Sequence, residues 1–442
     1  MSSSTTVDGL VSGMNTTQVI AQLMQLAAQP QTDLKNQVAQ ENTVISAYQS
    51  VNSRLAALQT AAEAFTQPSP LIPTNPTWRS VKATSSTTGV VATATAGAAA
   101  GTFGFDVTAL AKAQVTTARV DPTNPVTWGS GLDVTVGSTT THVDVGTDTA
   151  QGVADAINGA KLGVTAAILT TTQGTVLQLT GSTGSANAFS VAGLSVGTTD
   201  VNPAQDAEIT VGDPNTSGYT VTSSTNTFNN VAPNVTLNVS ALATGVSVNV
   251  ASDTDTVADK MQAMIDAANA ALSQIKTSTA YSATSKSGGA LMGDYTVRNI
   301  QSSVLSAAGN GMLGYGDFKK FGVQLTRDGT LKLDRNTFIS AYNADPAGVQ
   351  GAVAGGLAKQ LDTVAKAATD PLTGSLTTAI QGGNNQVRTL NQQISNWNVR
   401  LTAKQAAYQR QFTHLEVALG KMKDQSSWLS GQIAGIASRS GS

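Results

Sequence analysis

The 442-residue chain contains no cysteine, which removes disulfides, thiolate metal sites and cysteine nucleophiles together. It has only two histidines, His142 and His414, one in a strand-like stretch and one in a helix-like stretch. So wide a separation leaves no expectation of a histidine-based triad or zinc centre. Charged residues are 12% of the chain, about half the share in an average globular protein. Residues 116–252 hold Arg119 and Lys161 against nine acidic side chains, and the whole chain carries a net charge of −2. Phosphate neutralisation needs clustered Lys and Arg, so no nucleic-acid partner is expected. No apolar run reaches the length of a membrane span. Residues 1–34 contain neither Lys nor Arg, and no continuous apolar segment follows Met1. Any export is therefore expected to use a route that cleaves no signal peptide.

What is present is 40% hydrophobic residues in a background of Thr, Ser, Asn, Gln and Gly. The most regular pattern lies at the two ends. From Val387 the apolar residues run Leu390, Ile394, Trp397, Leu401 and Tyr408 in steps of three and four, with Lys404 in one gap. After a four-residue step at Phe412 the series resumes as Leu415, Leu419, Met422, Leu429, Ile433 and Ile436. Such spacing makes a coiled-coil seam, and the extra step is a stutter. Near the start, Tyr48, Val51, Leu55, Leu58, Ala62 and Phe65 keep the same spacing. A helix over 16–65 would measure about 75 Å, broken or kinked near Pro30. Pro68, Pro70, Pro73 and Pro76 end it. Residues 1–65 carry Lys35 and Arg54 against four acids, whereas 384–442 carry seven Lys or Arg against Glu416 and Asp424. Opposite signs favour pairing of the two ends, though each exposed ion pair contributes little.

Between the ends the texture is strand-like. Short β-branched runs at 80–84, 89–95 and 102–109 predict strands, and 132–137 with 141–146 predicts a hairpin with Ser138, Thr139 and Thr140 at its tip. A helix over 149–161 and strands over 164–170 and 174–180 follow, then a second strand-rich stretch over 206–251. Helices are expected over 253–276 and 289–308, and further ones near 336–343 and 355–368. The Asp328-Gly329 pair predicts a type I′ hairpin. Gly374 and the Gly382-Gly383 pair are read as separators before the terminal helix. The fold class is thus α+β and multidomain: a helical coiled-coil stalk from both termini with strand-rich domains inserted. The expected parts are 1–44 with 401–442, 45–78 with 253–400, 79–115 with 203–252, and 116–202. Residues 1–15 are expected to be disordered before assembly.

Candidate chemistry is thin. Asp253-Thr254-Asp255 fits helix capping better than a cation site. Asp328-Gly329 lacks the later acidic ligands of a calcium loop. Gly9, Gly13, Gly97 and Gly101 match no phosphate loop. The Asn234-Val-Thr and Asn238-Val-Ser triplets match a glycosylation pattern by composition alone. No catalytic residue, metal or cofactor is expected.

Several blocks together resemble the flagellar filament cap family, FliD or hook-associated protein 2. VDGLVSGMNTTQVIAQLM (7–24) is similar to its opening, and GTFGFDVTALAKAQ (101–114) to a second block. ADAINGAKLGVTAAIL (154–169) resembles the flagellin-hook motif, with Ile157-Asn158 at its centre. VTLNV (235–239), 252–269, 290–298 and RDGTLKLD (327–334) follow in the family's order, and FTHLEVALGKMKDQSSWLSGQI (412–433) is close to its C-terminal block. Ala268 stands where the family has an aromatic before Asn269. The resemblance implies a homo-oligomeric ring of four to six subunits at the distal, extracellular tip of the flagellum. Its implied partners are other copies of the chain, flagellin, hook–filament junction proteins and an export chaperone. The subunit and flagellin contacts would then fall on the seam: Tyr48, Val51, Leu55, Leu58, Phe65, Leu390, Ile394, Trp397, Leu401, Tyr408, Phe412, Leu415, Leu419, Met422, Leu429 and Ile433. The rival class is another extracellular structural protein, such as a junction protein or an adhesin.

Overall fold

The computed structural model describes residues 13, 15–66, 75–121, 124–127, 131–213, 216–284 and 286–439. The expected disorder of 1–15 and the prolines between 67 and 74 therefore lie almost wholly outside the described residues. In chain order the α-helices are α1 (Thr16–Ala27), α2 (Gln29–Glu63), α3 (Ala150–Ala160), α4 (Thr254–Thr279), α5 (Tyr295–Gly309), α6 (Arg335–Ala344), α7 (Pro346–Ala352), α8 (Ala358–Thr369) and α9 (Ser375–Arg439). Helices occupy both ends and strands the middle, the α+β class expected from sequence. The chain forms two compact units, one of 1–66 with 261–442 and one of 67–260.

The strand-rich unit has two hydrophobic clusters. Around the first, a five-stranded antiparallel sheet runs in the order Val81–Ser85, Ala243–Ser252, Gly101–Ala109, Ala207–Val211 and Tyr219–Ser223. A three-stranded sheet of Thr227–Ala232, Val235–Val239 and Val90–Ala94 contributes Phe228 and Leu237 to the same cluster as Phe105, Val107 and Ile209. Around the second, α3 places Val153 and Ile157 among Leu132, Val134, Leu177 and Leu179. The hairpin here turns on two residues, since Val136 pairs with Thr139. The tip is Gly137-Ser138 rather than 138–140, with Gly137 at φ +59°, a conformation that glycine adopts without strain. Within the strand-rich stretch, Tyr219–Ser223 and Thr227–Ala232 are two strands in different sheets.

Side-chain amides knit this unit where charges are scarce. Asn158 donates to the Ala166 carbonyl (2.8 Å) and accepts from its N–H (2.9 Å). Gln114 does the same to Phe189, at 2.7 and 2.8 Å. A side-chain amide presents an N–H donor beside a carbonyl acceptor in one plane, so it can replace a neighbouring strand's peptide. That is the physical content of two of the sequence blocks.

The helical unit is built on α2. Pro30 sits in the first turn of α2, where its missing N–H costs nothing, and the break falls at Ala28. Val51, Leu55, Leu58, Ala62 and Phe65 are fully buried, alongside α8 and α9. Phe318, Phe321, Phe338 and Tyr342 form a ring cluster with centroids 5.4–6.3 Å apart in succession. Asn269 repeats the amide clamp, with both bonds to Leu331 at 2.8 Å.

Three local expectations need correction in this unit. The helix expected from 289 starts at Tyr295. Gly289 lies so close to Ser278 that a Cβ would sit 2.3 Å from its carbonyl oxygen, and Gly293 has φ +84°. Neither residue is free to extend the helix. The Asp328-Gly329 hairpin is not type I′, because Gly329 has φ +73° and Asp328 is not in the positive-φ region. The Gly329 N–H instead donates to the Thr326 carbonyl at 3.2 Å, giving a three-residue turn closed by a left-handed glycine. Gly382 and Gly383 do not separate the terminal helix from what precedes it, for α9 begins at Ser375 and runs through both. A Cβ on Gly383 would lie 2.7 Å from Ile45 Cγ1. The glycine is there to let two helices approach.

Candidate assembly surface

At the standard rise, the 65 residues of α9 span about 97 Å. Its first part is held by α2 running antiparallel to it. Ile45 faces Gly383, and fourteen residues earlier Gln31 donates to Asn398 and to the Ile394 carbonyl. Farther along, α1 packs on α9, burying Thr16 and Ile20. An Asn15 cap starts α1, its side chain accepting from the Gln18 N–H at 2.9 Å. The seam residues of α9 fall within about 100° of arc at 100° per residue, and the helix is continuous through the stutter.

The seam changes character along its length. Tyr48 is half-buried, and Val51, Leu55, Leu58 and Phe65 are wholly enclosed in this chain. Leu390 is 4% exposed. Ile394, Trp397, Leu401, Tyr408, Phe412 and Leu419 are half-buried. Leu415, Met422, Leu429 and Ile433 are exposed, Leu429 by 53%. A side chain enclosed by its own chain has no surface left for a partner, so the outward apolar surface is the far portion of α9. The seam pattern missed further apolar surface along α9: Val399, Val417 and Trp428, the last 67% exposed. Their spacing of 18 and 11 residues places them on one side of the helix, opposite the seam, and only a wheel drawn for that side reveals them.

Polar groups hold the near portion. The Tyr48 hydroxyl donates to Asp294 at 2.5 Å, and Asp294 also caps α5 through the Val297 N–H at 3.0 Å. Burial and the adjoining carboxylate push the Tyr48 hydroxyl's pKa well above its usual value. Lys366 bridges Glu63 and Asp362, each at 3.0 Å. Hydrogen bonds from Gln59 and Lys366 hold Glu63 below the usual carboxylate range. Arg400 lies over the Trp397 ring at 5.5 Å and Lys404 over Tyr408 at 5.8 Å. Lys404, read as a gap in the seam, thus covers an aromatic with its cation.

Elsewhere, His142 is bound to Asp133 at 2.7 Å on the exposed hairpin, which raises its pKa. Asp253 caps α4, accepting from the Thr256 N–H at 3.0 Å. Among the described residues no group of three His, Asp or Glu side chains could hold a metal ion, and no helix is long and apolar enough to cross a membrane.

A family model described as "Flagellar hook-associated protein 2 C-terminus" matches residues 204–424, and one described as "Flagellar hook-associated protein 2 N-terminus" matches 12–114. The flagellar hook-associated protein 2 of Escherichia coli (strain K12) is 28% identical over 478 aligned positions, covering 96% of this chain and 97% of that one. The B-type flagellar hook-associated protein 2 of Pseudomonas aeruginosa is 27% identical, covering 93% and 97%. The crystal structure of the D1-D2-D3 domains of the Escherichia coli flagellar cap protein FliD superposes with a TM-score of 0.57 at 25% identity, covering 76% of this chain and 99% of that one.

Proposed function

This chain belongs to the flagellar hook-associated protein 2 family, and we propose that it caps the distal, extracellular tip of a flagellar filament as a homo-oligomeric ring of four to six subunits. The cap retains exported flagellin and promotes its folding and insertion. Its work is mechanical, making and breaking no covalent bond. The observation that carries this reading is the far portion of α9, a continuous helix with Met422, Leu429 and Ile433 on one exposed face and Trp428 on another. Burying a large apolar side chain contributes roughly 1.5–3 kcal/mol. Four such residues supply enough gross energy to dock a leg on flagellin or on neighbouring subunits. Val51, Leu55, Leu58, Phe65 and Leu390 hold the leg together within each subunit, and the remaining seam residues meet partners.

The parts 1–44 with 401–442 form a terminal coiled-coil leg, 45–78 with 253–400 a mainly helical leg domain with a β-hairpin, and 79–115 with 203–252 and 116–202 the β-rich head and its inserted outer domain. An export chaperone would shield the exposed apolar row before assembly, and junction proteins would seat the first cap. Deletion of the gene in its host tests the reading through flagellin in filaments and in culture supernatant. Loss of filaments with monomeric flagellin in the medium is expected. Normal filaments with altered surface attachment would overturn it in favour of an adhesin.

A further inference from the structure

Three side-chain amides outside the assembly surface are placed alike. Asn158 holds the N–H and C=O of Ala166, at 2.9 and 2.8 Å. Gln114 holds those of Phe189 at 2.8 and 2.7 Å, and Asn269 those of Leu331, both at 2.8 Å. The clamped residues lie in Thr165–Thr171, Phe189–Ala192 and Leu331–Leu333, and each of these strands is at the edge of its sheet. In an antiparallel pair the N–H and C=O of one residue point to the same side, and the side alternates along the strand. A residue bonded in this way to an amide therefore faces out of its sheet, where another strand would add. Thr165–Thr171 pairs with its neighbour without a register shift, so Ile168 and Thr170 face outward with Ala166. In the two shorter strands the outward residues beyond the clamp are Val191 and Leu333.

The clamped edges are apolar, reading TAAILTT, FSVA and LKL. Edges without such a clamp among the described residues differ. Thr139–Asp144 carries His142 and Asp144. Thr198–Asn202 turns Asp200 inward to accept from the Thr116 hydroxyl at 2.6 Å, and its register shifts between Asp200 and Asn202. Tyr219–Ser223 bears a hydroxyl at every position but Val221. Val90–Ala94 is apolar and runs beside Val81–Ser85. Charges, inward carboxylates and bulges are the means by which sheet edges avoid pairing with other chains, and an apolar edge without them is a template for self-association. We propose that Asn158, Gln114 and Asn269 are edge guards, each occupying the peptide at which a strand from a second copy of this chain would begin to pair. An incoming strand must break both bonds of the clamp, and the edge beyond it is too short for a stable ladder. Ile157, fully buried in the core beneath, holds Asn158 at the rim. The guard acts against unwanted pairing and does not depend on the ring reading.

The test compares full-length wild type with Asn158→Ala, with Leu179→Ala, and with Asn158→Ala combined with Leu169→Lys, all held below their melting midpoints. Leu179 is 1% exposed in the same cluster, so its truncation destabilises the unit while the clamp stays. Leu169 is 42% exposed on the guarded strand, where a lysine supplies the missing charge. Association is followed by sedimentation velocity and by binding of a labelled TAAILTT peptide. Asn158→Ala is expected to bind the peptide and to associate at a concentration about tenfold below wild type. Leu179→Ala should behave as wild type, and Leu169→Lys should cancel the change. Asn158→Ser, too short to reach both groups, takes the place of Asn158→Ala if that variant loses its native circular dichroism. The proposal is overturned if the Asn158 variants associate no more readily than wild type. It is equally overturned if Leu179→Ala associates as they do, or if Leu169→Lys leaves the association intact.

Discussion

The near and far portions of α9 carry the same kind of apolar series and have opposite fates. Leu390, on the near portion, is 4% exposed, and Leu429, on the far portion, is 53% exposed. Spacing in threes and fours establishes that both lie on one stripe of a helix. It carries no information on whether the other side of the seam belongs to the same chain. The near portion faces α2 and was used up by folding. The far portion extends beyond where α1 packs and keeps its apolar surface for something else.

The largest effect that would break this comparison is a cavity under the near portion. Leu58→Ala should cost about 2–5 kcal/mol, read as a fall in thermal or urea midpoint, because Leu58 is fully enclosed. An effect below 1 kcal/mol would show that the near portion is not a folded core. Gly383→Val comes next at about 1–3 kcal/mol, since its Cβ would meet Ile45 at 2.7 Å. Gly382→Ala is the control. Open space surrounds that position, and the exchange should stabilise by about 0.5–1 kcal/mol. Asn269→Ala should cost about 1–3 kcal/mol by leaving the Leu331 N–H and carbonyl without their partner. Leu429→Ala sharpens the contrast from the other side. Its melting midpoint should stay within about 0.5 kcal/mol of wild type, while filament capping in the host falls.

The smallest effect is on pH dependence. Glu63 has its pKa lowered in the folded chain, so its contribution is complete above the unfolded value near 4.3. It is lost as pH falls through the folded value. Glu63→Gln should flatten the decline in midpoint below about pH 4.5. The carboxylate is 44% exposed, so the difference should be well under 1 kcal/mol. An unchanged slope would remove the Lys366 bridge from the account of how α2 and α8 stay together.

Much of the architecture was legible because it follows from local period and local chemistry. The terminal seam, the strand over 102–109, the Asp253 cap and the break near Pro30 each depend on residues within a turn or two of one another. The errors fall where a distant group decides. Gly382-Gly383 carries the composition of a break, and only Ile45, more than three hundred residues away, gives Gly383 its purpose. Asn158, Asn269 and Gln114 stand out as pattern residues, but their use as strand clamps needs Ala166, Leu331 and Phe189 brought alongside.

The candidate surface divides in the same way. Which residues line the seam followed from the sequence alone, because helical geometry fixes which side chains share a face. Which of them remain outward was decided by tertiary packing, because burial depends on the elements that arrive from elsewhere in the chain.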